Sequence, residues 1–129
     1  MSLRVAAAAA LALALFWAEP AAAGDPVQSV AAVSRCLRAH GAALAQVPRS
    51  NASLRTLHDL AQRRSFVARI GRSSVGIAVL PSAANAQLLA ELLVIPRSGY
   101  TTSRRQNVIL LSRRTDRAAA RVATRCTRG

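Results

Sequence analysis

Apolar residues recur at helical intervals just after an N-terminal hydrophobic segment. They lie three, four or seven positions apart, at Val30, Val33, Leu37, Leu44 and Val47. This spacing is typical of one face of an amphipathic helix and predicts a helix over about residues 26–46, which Pro48 ends. Asp25 and Pro26 suit the N-cap and the first helical position, and Gln28 is placed to complete a capping box.

The next residues predict a second short helix and a β-hairpin. The apolar side of this helix consists of Leu54, Leu57, Leu60 and Ala61. Before it, residues 51–53 (Asn-Ala-Ser) have the form of a glycosylation acceptor, which we interpret as turn and helix-cap chemistry. Residues 65–70 alternate in polarity, and residues 74–80 place their β-branched side chains on one face. The Gly-Arg-Ser turn at residues 71–73 between these segments predicts a hairpin.

A helix is predicted between this hairpin and the strands that follow. Pro81 ends the second strand, and Ser82 is a suitable N-cap for a helix over about residues 83–94. The sequence Pro-Arg-Ser-Gly at residues 96–99 breaks it.

The last third of the chain predicts two further strands and a final helix. Residues 100–102 (Tyr-Thr-Thr) predict a short edge strand. The nearly continuous apolar run at residues 107–111 is typical of a strand that is buried on both faces. Thr115 and Asp116 then begin a helix that extends to about Thr127.

The order of these elements is α-(α)-ββ-α-ββ-α, where the bracketed helix is the short one. It predicts an α+β fold, a small sandwich in which a mostly antiparallel sheet of about four strands is packed by about three helices. We expect residues 24–129 to form a single domain, with its two terminal helices together on one face of the sheet.

Residues 1–23 have the three-part pattern of a secretory signal peptide. A short basic start at residues 1–4 is followed by an Ala- and Leu-rich run at residues 5–17, and then by Pro20 and the small residues 21–23. We predict cleavage after Ala23 and a secreted or extracytoplasmic protein of the cell envelope. The alternative is an uncleaved single-pass anchor, although the apolar run is shorter than the roughly 20 residues that span a bilayer.

The chain is strongly basic, and its 18 basic residues are all arginine. The formal net charge is +13. The excess of arginine and alanine is typical of a GC-rich bacterial genome. This charge disfavours self-association, so we expect a monomer, and it favours anionic lipid, wall polymer or acidic protein as a partner. Phe66 and Tyr100 are the only aromatic residues after the signal segment, which disfavours nucleic acid and aromatic-lined pockets.

Cys36 and Cys126 are an even pair in a chain that we expect to be exported, and they predict a structural disulfide. The loop of about 90 residues that it closes would contribute about 4–5 kcal/mol by chain entropy. A redox pair normally has the spacing C-x-x-C, whereas these cysteines are 90 positions apart, and a metal site would need further ligands, for which only His40 and His58 are available. We therefore predict no metal and no small-molecule cofactor.

The last helix carries the one patterned polar feature of the sequence. Its arginines follow steps of three, four, four and three, at Arg114, Arg117, Arg121, Arg125 and Arg128. A neighbouring apolar stripe is predicted at Ala118, Val122 and Cys126. The arginine stripe is either a face that binds anions or a solvated outer surface. Three further arginines close to the last strand extend the candidate patch, at Arg104, Arg105 and Arg113.

Catalytic motifs are absent from the sequence, so we predict a protein that is not an enzyme. His58 and Asp59 are adjacent, but neighbouring residues of a helix do not face each other. His40 lies one helical turn from Cys36, where its ring either activates a thiol or packs beside the disulfide. The carboxylates Asp25 and Asp116 are accounted for by helix starts.

Several segments together resemble a family of small exported actinobacterial α+β proteins with no assigned function. The resemblance covers about half of residues 24–129: the run Val-Gly-Ile-Ala-Val-Leu-Pro at 75–81 with the Ala/Leu helix after it, the run Arg-Arg-Gln-Asn-Val-Ile-Leu-Leu at 104–111, and a closing helix that ends in Cys126. It implies a secreted, disulfide-closed domain, and it gives no activity that could be carried over to this chain.

From these features we predict a non-enzymatic protein of the cell envelope that binds its partner through an arginine-rich face. The alternative is a small secreted hydrolase or enzyme inhibitor whose site is assembled only in the folded chain. A cleft that gathers His58 with a carboxylate would favour an enzyme, and a flat arginine face without a cleft would favour the binding protein.

Overall fold

A computed structural model describes residues 27–93 and 99–127, which form four helices and five strands. In chain order these are α1 Val30–Ala39, β1 Ala43–Ala45, α2 Ala52–Leu60, β2 Ser65–Ile70, β3 Ser73–Val79, α3 Ala83–Leu92, β4 Tyr100–Arg105, β5 Val108–Arg113 and α4 Arg117–Cys126. The predicted signal peptide, the predicted cap at Asp25 and Pro26, and residues 96–98 of the predicted break lie outside the described residues.

The five strands form one antiparallel sheet in the order β1-β2-β3-β5-β4. The β2–β3 hairpin pairs Phe66 with Ile77. β5 lies between β3, where Gly76 pairs with Leu111, and the edge strand β4. The predicted α+β fold and antiparallel sheet are confirmed, with five strands instead of about four.

Helices cover both faces of the sheet. α1 and α4 pack together on one face, where their buried residues and those of the sheet form one cluster that includes Val33, Leu37, Ala119, Ala123, Val75 and Ile77. α2 and α3 cover the other face, with a cluster that includes Leu54, Leu57, Ala86, Leu89, Ala78 and Ile109. Because the central strands are covered on both sides, consecutive residues of β3 and β5 are buried, which explains their nearly continuous apolar sequences.

The first helix is shorter than predicted, and the prediction that it extends to residue 46 and ends at Pro48 is wrong. α1 begins after Ser29, whose side chain accepts a hydrogen bond from the backbone N–H of Ala32 at 3.0 Å. Gly41 has a φ of +86°, a left-handed conformation that glycine adopts without a steric penalty. The chain turns there into β1, where Leu44 pairs with Ala68 of β2.

Two helix caps and the hairpin turn agree with the sequence predictions. The Asn51 side chain accepts from the N–H of Leu54 at 3.0 Å, which confirms the cap interpretation, and Ser82 caps α3 through the N–H of Asn85 at 3.1 Å. Gly71, with a φ of +59°, and the residue after it connect β2 to β3.

The buried side of α4 differs from the predicted stripe. Ala118 is exposed, whereas Ala119, Ala123 and Cys126 are buried. The alanines at 118–120 are equally apolar, so their sequence alone does not tell which of them faces the sheet.

Candidate functional site

The predicted disulfide between Cys36 and Cys126 is present and joins α1 to α4, with the two Cα atoms 5.5 Å apart. A ring nitrogen of His40 and the two sulfur atoms lie within 4.8 Å of one another. The exposed ring therefore lies beside the disulfide. Because both sulfurs are bonded to each other, neither is a thiolate that could bind a metal or act as a nucleophile.

The arginine stripe of the last helix lies on its solvent side. Arg117, Arg121 and Arg125 are one turn apart on α4 and are all exposed. Arg114, in the turn before the helix, is also exposed. Arg128, the fifth member of the predicted stripe, lies outside the described residues.

The neighbouring helix widens this stripe. α1 carries Arg35 and Arg38, three residues apart and both exposed, and it packs beside α4 on the same face of the sheet. The exposed arginines of the two helices and the turn before α4 are called the basic helical face here: Arg35, Arg38, Arg114, Arg117, Arg121 and Arg125. The α1 pair was not among the predicted residues, and its three-residue spacing is the sequence signal that could have indicated it.

Exposed negative charge is absent from the described part of this face. Asp116, at the N-cap of α4, is only 7% exposed, and its carboxylate accepts hydrogen bonds from the backbone N–H groups of Ser74 at 3.1 Å and Arg113 at 3.3 Å. The exposed carboxylates Asp59 and Glu91 belong to α2 and α3, on the opposite face of the sheet. The two helical layers thus differ in charge.

The arginines of the last two strands differ from the basic helical face. The guanidinium of Arg113 lies 3.9 Å from the Asp116 carboxylate and 5.0 Å from the centre of the Tyr100 ring. Arg104 donates to the backbone oxygen of Gln106 at 3.4 Å, and the Nε atom of Arg105 is buried. These contacts bind Arg104 and Arg113 to groups of the sheet and its turns.

A cavity of about 760 Å³ lies at the β1 end of the sheet, between α1, β1, α2 and β2. One part of its lining is basic and polar, at Arg49, Arg55, His58, Arg63 and Ser65. Another part is apolar, at Val30, Leu44, Ala45, Val47 and Phe66. The sequence does not predict this cavity, because four separate elements form its wall and one of them, β1, has a helical sequence pattern.

His58 is part of this cavity and pairs with a serine. Its Nδ1 atom lies 2.5 Å from the Oγ atom of Ser65, the first residue of β2. Asp59 is instead 3.9 Å from Arg55, one turn back on α2, and it does not line the cavity. The expectation that His58 and Asp59 do not face each other is consistent with these separate contacts.

The end of α2 brings His58 and Ser65 together. The N–H of Gln62 donates to the oxygen of Asp59 at 3.2 Å, and the N–H of Arg63 donates to the oxygen of His58 at 2.8 Å. This is the Schellman pattern of helix termination, in which the residue after the cap is usually glycine. Here Gln62 and Arg63 have φ values of +53° and +63°. The tight turn sends the chain directly into β2 and places Arg63 in the cavity wall.

No family model, no curated protein and no solved structure matches the chain. The resemblance to exported actinobacterial proteins therefore stays a prediction. Within residues 27–93 and 99–127, none of the helices combines the length and the apolar character that a membrane crossing requires. The intramolecular disulfide is compatible with an extracytoplasmic location.

Proposed function

We propose that this protein is a non-enzymatic binding protein of the cell envelope and that the basic helical face contacts an anionic lipid surface or wall polymer. The single observation that carries the proposal is the arrangement of six exposed arginines over α1 and α4, without an exposed carboxylate among the described residues of these helices. The sequence of residues 1–23 and the disulfide support export to the envelope.

The distribution of charge favours an extended anionic surface over a compact acidic ligand. The arginines are spread over two helices and the turn before α4, so many weak contacts form at once and none requires a deep pocket. Each basic residue near an anionic membrane contributes about 1 kcal/mol, and salt screens this attraction over about 10 Å. The alternative partner is an acidic protein. Such a complex would require the two proteins to bind in one fixed relative orientation, which an extended lipid or polymer surface does not.

Cosedimentation tests this proposal with vesicles of phosphatidylcholine alone, with vesicles that also contain phosphatidylglycerol, and with insoluble anionic wall polymer. We expect binding to the anionic vesicles or the polymer, and loss of that binding at high salt. Changing Arg117, Arg121 and Arg125 to Gln should weaken it by up to about 3 kcal/mol. The matched control changes three exposed arginines outside the face, Arg64, Arg69 and Arg104, to Gln.

Equal binding to neutral and anionic vesicles, with no binding to the polymer, would contradict the proposal. Equal weakening by the two triple variants would show that net charge alone matters and that the face has no special role.

A small hydrolase is the second candidate function, because His58 and Ser65 are hydrogen-bonded within a cavity. In serine hydrolases a carboxylate usually orients the histidine, and no carboxylate lines this cavity among the described residues. Hydrolysis of p-nitrophenyl butyrate by the purified protein, abolished by Ser65→Ala, would support a hydrolase. An equal rate in wild type and Ser65→Ala would argue against it.

A further inference from the structure

We propose that the cavity between α1, β1, α2 and β2 is a binding site for an amphipathic organic anion, a carboxylate attached to an apolar chain. The proposal goes beyond the function argued for the basic helical face. None of the six arginines of that face lines the cavity, and α1 contributes only Val30 and Ser34 to its wall.

The charges around the cavity favour an anion. Three guanidinium groups line one space, those of Arg49, Arg55 and Arg63, with His58 among them. No carboxylate lines it among the described residues, so these positive charges repel one another without a counter-charge in the cavity itself. Guanidinium groups bind carboxylates through paired hydrogen bonds, which makes arginine well suited to such a ligand.

Arg55 remains available to a ligand despite its ion pair. Its partner, Asp59, lies outside the cavity at 3.9 Å, and the two side chains are 41% and 66% exposed. An exposed pair of this kind contributes little to stability, so the guanidinium can exchange the Asp59 carboxylate for that of a ligand at little cost.

The apolar part of the wall favours a ligand with a hydrocarbon body. Val30 is 49% exposed, and Leu44 and Phe66 are only half-buried. Phe66 is the one phenylalanine in residues 24–129. An apolar chain would cover these side chains, whereas inorganic phosphate would leave them in contact with water.

The backbone turn that leads into the cavity wall has a sterically unfavourable conformation. Gln62 and Arg63 are consecutive non-glycine residues with positive φ, which is sterically unfavourable for L-residues. Such residues concentrate at ligand sites, where the surrounding structure maintains them. Here they place Arg63 in the cavity wall and bring Ser65 close to His58. The side chains of Ser65 and His58 are hydrogen-bonded to each other, and both add polar groups to the wall.

Isothermal titration calorimetry of the full protein tests the site with decanoate as the probe. Decanol, decyltrimethylammonium and inorganic phosphate are the comparison ligands. We expect decanoate to bind at least about tenfold more tightly than each of them, because only decanoate satisfies both parts of the wall. Backbone amide NMR shifts should locate the bound decanoate at residues 44–47 and 63–66.

Variants distinguish binding in this cavity from binding at the basic helical face. Arg55→Gln should weaken decanoate binding by about tenfold, and Arg63→Gln should do the same. Asp59→Asn is the matched control, since it removes the same ion pair but leaves the Arg55 guanidinium in place, and it should bind decanoate at least as well as wild type. The Arg117, Arg121 and Arg125 triple variant should bind decanoate normally, so failure at one surface is distinguishable from failure at the other.

Equal affinity for decanoate and decanol would overturn the proposal, and so would phosphate binding as tight as that of decanoate. Loss of binding in the α4 triple variant, or decanoate shifts confined to α1 and α4, would assign the anion to the basic helical face instead. Unchanged affinity in both Arg55→Gln and Arg63→Gln, with circular dichroism showing that they fold, would likewise refute the site.

Discussion

The hydroxyl oxygen of Ser73, at the start of β3, accepts a hydrogen bond from the backbone N–H of Ala119, in the first turn of α4, at 3.0 Å. Helices are normally capped by the residue just before them, which here is Asp116. The Asp116 side chain makes no such bond and instead accepts from the N–H of Ser74 at 3.1 Å. The hairpin and the helix thus each satisfy a backbone donor of the other, and this exchange anchors α4 to β3.

We therefore expect Ser73→Ala to lower the free energy of unfolding by about 1 kcal/mol, the usual effect of losing a helix cap. Urea denaturation followed by circular dichroism measures it. Ser50→Ala is the control, because Ser50 is exposed in a turn, and it should change stability by less than about 0.5 kcal/mol. Equal stability of the two variants would show that the Ser73 hydroxyl is not a significant cap.

The disulfide should contribute substantially to stability. It joins residues separated by 90 positions, so replacing both Cys36 and Cys126 with Ala should cost about 3–5 kcal/mol. Chemical denaturation of wild type with and without reductant, alongside the double variant, provides the measurement. If wild type in reductant is as stable as oxidised wild type, the bond is only incidental to the fold.

One substitution in the turn after α2 should stabilise the protein, unlike the two changes above. Gln62 occupies a position that favours glycine, so Gln62→Gly should raise the free energy of unfolding by about 1 kcal/mol. Gln46→Gly is the matched control, because Gln46 is also exposed but does not have a positive φ, and it should give no gain. Stabilisation by both changes, or by neither, would count against strain at Gln62.

Gly76 and Leu54 are coupled across the layer between β3 and α2. A Cβ atom at residue 76 would lie 2.5 Å from the Cδ2 atom of Leu54, a buried side chain. Gly76→Ala should therefore destabilise the protein by about 1–3 kcal/mol. In a double-mutant cycle with Leu54→Ala, the loss should be smaller than the sum of the two single losses by more than about 0.5 kcal/mol. Additive losses would refute the clash.

Local patterns in the sequence predicted the parts of the fold that depend on local interactions. The alternation in residues 65–70 and the turn at Gly71 were enough for the β2–β3 hairpin. The short strand β1 was missed because Leu44 and Val47 happen to continue the helical spacing of α1. Its conformation depends on pairing with β2, which lies more than twenty residues further along the chain.

The candidate sites, like the elements of the fold, include some that a local sequence pattern predicts and one that only the folded chain forms. The count of cysteines predicted the disulfide, and the spacing of Arg117, Arg121 and Arg125 predicted their common exposed side. The cavity could not be predicted because side chains from four elements meet there only after the sheet has formed. In the sequence, the only carboxylate residue next to His58 is Asp59. In the structure, His58 is hydrogen-bonded to Ser65, which is seven residues further along the chain.

The two edges of the sheet, β1 and β4, have a consequence for association between copies of the protein. Exposed strand edges can recruit strands from other molecules and begin aggregation. β1 offers only three residues, and β4 carries Arg104 and Arg105 on an otherwise polar strand. A second copy, which also carries a net charge of +13, would be repelled as it approached this edge. The short β1 and the charged β4 therefore disfavour the edge-to-edge pairing by which sheets of different copies join.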